Sequence, residues 1–175
     1  MKNKGISLLL AVFAVATLFL PATFAAQGDP WFDLDNCKMC QPMTQEKGLM
    51  ENMEWENHLT ADGMMTVTVI APGYEKAFES VMKKMEATGE KLMAGEKMHL
   101  CGFCQSYGGL QMAGATFENF VTGGGLINLV TSRDPAVIEM IHEHGQKTID
   151  EHAKMMAAMD GGDHGHKDHP DHPSN

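Results

Sequence analysis

The sequence predicts an α+β domain built from two copies of a short helix–strand–strand–long helix unit. Together the copies make a four-stranded antiparallel sheet with the helices packed on one face. Three observations carry this expectation. All four cysteines lie in two Cys-x-x-Cys-Gln segments, Cys37-Lys38-Met39-Cys40-Gln41 and Cys101-Gly102-Phe103-Cys104-Gln105. Behind each comes a matching phrase at a constant spacing of 62 residues: Trp55-Glu56-Asn57 with Thr60 and Gly63, then Phe117-Glu118-Asn119 with Thr122 and Gly125. Each phrase sits in a pair of β-type runs, and each pair leads into an amphipathic helical stretch.

The chain opens with a targeting pattern. Lys2 and Lys4 precede an apolar run from Ile6 to Leu20, and Thr23 and Ala25 supply small residues for cleavage after Ala25. Such a pattern reads as a signal peptide over residues 1–25, and the run is short for a spanning helix, which needs roughly 20 residues. The expectation is therefore an exported protein, periplasmic or extracellular, with no membrane segment after cleavage. Removing Lys2 and Lys4 moves the formal charge from −10 to −12. A chain this acidic, with no basic stripe to meet phosphates, excludes nucleic acid as a partner.

Residues 26–36 read as an extended lead-in whose aromatics, Trp31 and Phe32, pack on the domain. The first unit spans 37–100. Pro42 suits the first turn of a short helix, with Leu49, Met50 and Met53 at helical spacing and Gly48 weakening it. Met53–Thr60 and Met64–Ile70 read as strands around an Asp62-Gly63 turn, the strongest short-range hairpin signal. Tyr74–Met93 follows as a helix with Phe78, Val81, Met82 and Met85 along one stripe. The second unit, 101–160, repeats the plan, with a weak short helix at 111–115 and strands at 115–121 and 126–131. A long helix then starts at Asp134-Pro135, the acidic residue capping and the proline at the first turn. The two units form one domain on a pseudo-twofold axis. This layout resembles the ferredoxin-like arrangement in outline. Residues 161–175 carry His164, His166, His169 and His172 among aspartates and no apolar residue but proline. They read as a disordered His/Asp-rich tail.

Four thiols in two Cys-x-x-Cys pairs are enough for one tetrahedral site if the axis brings the pairs together. Zinc favours such a set, Cu(I) takes thiolate and thioether, and four thiolates also hold an iron–sulfur cluster. Zinc or copper is the first expectation. His99, two residues before Cys101, and His58, in place of Phe120 of the other copy, are candidate additional ligands. His142, His144 and His152 read as mainly structural. The tail histidines are candidates for a weaker second site. The sixteen methionines mostly fill helix stripes, with Met39, Met43 and Met98 close enough to the pairs to act as thioethers.

Two alternatives stay open. In an oxidising compartment the pairs form disulfides, making a stapled interaction module. A Cys-x-x-Cys at a helix start also suits an exported thiol–disulfide oxidoreductase. No nucleophile elbow, Ser/His/Asp set or phosphate loop is present, so turnover of an organic substrate is not expected. The reading is an exported, soluble protein that sequesters or delivers a transition metal. Its partners are the ion and a metal-transport or redox protein, with a homodimer left open.

Overall fold

The computed structural model describes residues 29–160; the leader and the histidine-rich tail lie outside them. Two hairpins form the sheet. The first joins β1 (Met53–Thr60) to β2 (Gly63–Ile70), and the second joins β3 (Thr116–Thr122) to β4 (Gly125–Thr131). All pairings are antiparallel, in the order β1-β2-β4-β3, so β2 and β4 meet at the centre. A shift of 62 residues carries one hairpin's register onto the other: Glu54↔Val69 becomes Thr116↔Thr131, and Thr60↔Gly63 becomes Thr122↔Gly125. The same shift carries the central pairing onto itself, Gly63↔Thr131 becoming Gly125↔Val69.

The helices are α1 (Gln41–Gln45), α2 (Glu75–Met93), α3 (Gly102–Met112) and α4 (Pro135–Asp160). The predicted helix after Pro42 is broken into α1 and a 3₁₀ turn at Met50–Asn52, because Gly48 takes a positive φ of 76° between them. At the start of α4, Asp134 acts as the cap foreseen: its Oδ1 accepts the Ala136 N–H at 2.9 Å.

Expectation and structure differ most at α3. A weak helix was expected only at 111–115, and Gly108 and Gly109 each cost about 1 kcal/mol of helix propensity relative to alanine. Instead the helix begins directly behind Cys101. Carbonyls of the lead-in accept its first free amides, Gly102 N–H to Pro30 O at 3.0 Å and Phe103 N–H to Trp31 O at 2.9 Å. At the other end Leu110 is buried in the core. Tertiary contacts thus supply what local propensity withholds.

Helix α4 lies on β1, β2 and β4, and α3 packs against α4. Met64, Leu110, Val130, Val137 and Ile141 form the core between sheet and helices, with Tyr107 and Phe117 packed against them. A polar row crosses the middle of this layer. Thr66 donates to Asn57 Oδ1 at 2.7 Å, Asn128 Nδ2 to Asn119 Oδ1 at 2.8 Å, and Tyr107 OH to Asn128 Oδ1 at 3.1 Å. Asn57 and Asn128 are half-buried and Asn119 is exposed at the β3 edge of the row. Helix α2 packs on α1 and bounds, with the β3–β4 hairpin, an open groove of about 530 Å³ lined by Phe78, Met82, Val121 and Leu126. Among the described residues no helix is long and apolar enough to cross a membrane.

Candidate metal centre

The two cysteine segments approach each other at one end of the sandwich. Cys37 and Cys40 lie in a tight turn closed by Cys40 N–H and Gln41 N–H, both donating to Cys37 O, at 3.1 and 2.8 Å. Cys101 is the N-cap of α3, and Cys104 sits in its first turn. Four backbone bonds interlock the segments: Cys37 N–H to Asp33 O at 2.9 Å, Lys38 N–H to His99 O at 3.0 Å, and the two lead-in bonds to Gly102 and Phe103. A Cβ on Gly102 would stand 3.2 to 3.3 Å from Trp31 Cε3, Asp29 O and Trp31 Cα, so the lead-in would have to give by a few tenths of an ångström.

All four sulfurs lie within 4.8 Å of one another, with Cys40 Sγ 3.3 Å from Cys104 Sγ and 3.9 Å from Cys101 Sγ. A tetrahedral ion with metal–sulfur bonds of about 2.3 Å needs sulfurs about 3.8 Å apart. The spread brackets that value, so one ion fits with small side-chain adjustments. A cluster of two or four irons distributes its thiolates over several metals and asks for a wider set.

Cys37, Cys40 and Cys101 are buried, and Cys104 is the part-exposed member. Leu34, Met39, Met43, Leu100 and Phe103 pack around them. The sulfurs also set one another's ionisation. Cys104, then Cys40, holds the Cys101 thiol far below the usual range. The contact with Cys101, with burial adding to it, pushes Cys40 and Cys104 upward. One negative charge is thus shared easily and further ones are resisted, a balance that an entering cation reverses by replacing the protons.

With the geometry in place, comparison with family models, curated proteins and solved structures gives no match to this chain. The residues themselves carry the functional argument.

Phe103, inside the second pair, anchors the centre to the fold. Its ring lies between 5.1 and 6.3 Å, centroid to centroid, from those of His144, Phe32, Tyr107, Trp31 and Trp55. Trp31 additionally carries the Lys147 ammonium 4.5 Å above its ring. His144 is 2 % exposed, and its Nδ1 bonds Ser106 Oγ at 2.9 Å. Burial lowers its pKa to about 4, so the imidazole is neutral at pH 7.

The other candidate histidines fall elsewhere. His99 Nε2 lies 3.3 Å from Asp33 Oδ2, and His58 Nε2 lies 3.1 Å from Glu56 Oε2 on the first hairpin. Neither belongs to the group formed by the four sulfurs. His142 Nε2 meets Thr60 O at 2.8 Å, and His152 stacks edge-on against Trp55 at 4.9 Å. His164, His166, His169 and His172 lie outside the described residues. Sequence reasoning did not foresee Trp31 and His144 as supports of the centre. The signal available was Trp31-Phe32 directly ahead of the first pair, an aromatic step in an otherwise polar lead-in.

Proposed function

We infer that this chain is an exported metal-binding protein that sequesters or hands over a soft or borderline transition metal. One ion is held by Cys37, Cys40, Cys101 and Cys104. The observation that carries the reading is the convergence of four sulfurs, from pairs more than sixty residues apart, to within 4.8 Å of one another. Zinc and Cu(I) suit that set, and Met39 and Met43 beside it add polarisable sulfur that favours the softer ion. When bound, the ion supplies the positive charge that lets all four thiols ionise together.

Export rests on the leader pattern of residues 1–25, and a weaker second site on the four tail histidines. The matched registers of the two hairpins support descent of the domain from a duplicated unit. Sequestration or delivery requires no organic substrate. Delivery implies a transport or redox protein as the receiving partner.

A second reading is favoured by one observation, the placement of Cys101 and Cys104 in the first turn of α3 with Cys104 reaching solvent. That arrangement suits thiol–disulfide exchange. Native mass spectrometry with elemental analysis separates the two on reduced, untagged protein lacking residues 1–25. One ion per chain, lost in Cys40→Ser, is the expected result. A metal-free chain that cycles a disulfide with an external dithiol overturns it in favour of the oxidoreductase.

A further inference from the structure

Resting on the metal reading, we propose that the centre is discharged by disulfide exchange that joins Cys40 to Cys104, a link between the pairs instead of within one. Cys104 alone among the four cysteines is part-exposed, so an external disulfide reaches its sulfur first. Cys40 is wholly enclosed and touches both sulfurs of the other pair, with Cys104 the nearer at 3.3 Å and Cys101 at 3.9 Å. Cys40 Sγ, 3.3 Å away on the other pair, is thus placed to resolve a mixed disulfide on Cys104 in competition with Cys101 of the same pair.

The exchange runs in two steps. In the loaded centre, where the ion would keep all four cysteines ionised, Cys104 thiolate attacks one sulfur of the external disulfide, forming a mixed disulfide and expelling one thiolate from it. Cys40 thiolate then attacks Cys104 Sγ, forming the Cys40–Cys104 bond and expelling the second thiolate of the external disulfide. Two electrons pass from the two cysteines to the external disulfide, which leaves as two thiolates, or as two thiols when a metal-free chain gives up the Cys104 and Cys40 protons. Cys37 and Cys101 remain as thiolates. Two ligands cannot hold the ion as four did, so it is released. The link needs little backbone movement, because the bonds from Lys38 to His99 and from Gly102 to Pro30 already hold the two segments together. An ion taken up by the reduced protein is thereby delivered where disulfides are abundant.

The test starts from metal-free, reduced protein treated with oxidised glutathione, then alkylated and digested with trypsin. Cleavage after Lys38 separates Cys37 from Cys40, which falls in the peptide 39–47, whereas Cys101 and Cys104 share the peptide 98–133. The expected product is 39–47 joined to 98–133 through Cys104, retained in Cys101→Ser. In Cys40→Ser, glutathione should stay trapped on Cys104. A dominant bond within either pair, or no bond at all, overturns the proposal. A second arm loads the reduced protein with zinc and follows release with a chromophoric chelator during oxidation. One zinc freed per Cys40–Cys104 bond is expected, and zinc retained by the cross-linked chain overturns the release step. Should the reduced protein take up no zinc, the metal reading falls together with release, while the peptide map judges the cross-link independently.

Discussion

Cys40 Sγ, at the cap of α1, lies 3.3 Å from Cys104 Sγ, in the first turn of α3, although 64 residues separate them. The contact depends on the whole domain. The lead-in ties the Cys37 turn to α3, α3 packs on α4, and α4 lies on the sheet. A metal centre placed there gains rigidity from every layer.

The first prediction concerns the ligands. Replacing Cys40 or Cys104 with serine should lower affinity for zinc or Cu(I) by more than about 100-fold, beyond the 10- to 100-fold typical of losing an outer-shell partner. His99→Ala and His58→Ala should leave the stoichiometry unchanged, because their imidazoles bond Asp33 and Glu56 instead. Competition against a chelator of known affinity measures both. A serine variant that binds as tightly as the parent would sink the four-sulfur assignment.

Binding should also stabilise the fold. An ion that binds only the native chain adds about 4 kcal/mol when its free concentration is 1,000 times the dissociation constant. Thermal melts of reduced protein should therefore rise with added zinc and return when a chelator removes it. Identical melting curves in the two conditions would contradict a site that joins the lead-in, the Cys37 turn and α3.

His144 gives a pH dependence whose sign is determined by its burial. Its pKa falls from 6.5 to about 4 on folding, so between those values the unfolded chain binds more protons. Stability from this group is complete above pH 6.5 and is lost as pH falls toward 4, by about 3 kcal/mol in all. Urea titrations between pH 7.5 and 4 should show the loss. His144→Leu should flatten the curve in that window, and an unchanged slope would assign it to other groups.

The two ends of the β2–β4 seam leave no room for a side chain. A Cβ on Gly63 would collide with Val130 O, and one on Gly125, whose φ is +152°, with Thr68 O. Gly63→Ala and Gly125→Ala should each cost roughly 2–3 kcal/mol or more, because the obstacle is backbone that cannot swing away. Gly124→Ala, with nothing within 4 Å, is the control from the same hairpin. Chemical denaturation midpoints decide between them.

Much of the fold was legible because its signals are local. The β-type run Met64–Ile70 marked a strand, Asp62-Gly63 a turn, and Asp134-Pro135 a helix start. The start of α3 at Gly102 was not legible, since the carbonyls of Pro30 and Trp31 that receive its amides come from 72 residues earlier. His144 was read as mainly structural, together with His142 and His152 of the last helix. Its enclosure by Trp31, Phe103 and Tyr107 depends on three other segments and left no mark at its own position.

The sequence by itself determined the candidate ligands and the elements that carry them, because thiol chemistry, residue periodicity and turn preference all act within a few residues. Only the tertiary structure decided that the two cysteine pairs meet. Their approach is a sum of strand pairing across β2 and β4, helix packing, and a lead-in threaded between Gly102 and the Cys37 turn, and each of these joins residues far apart in the chain. What reads along the sequence as two separate Cys-x-x-Cys segments is in space one group of sulfurs within 4.8 Å.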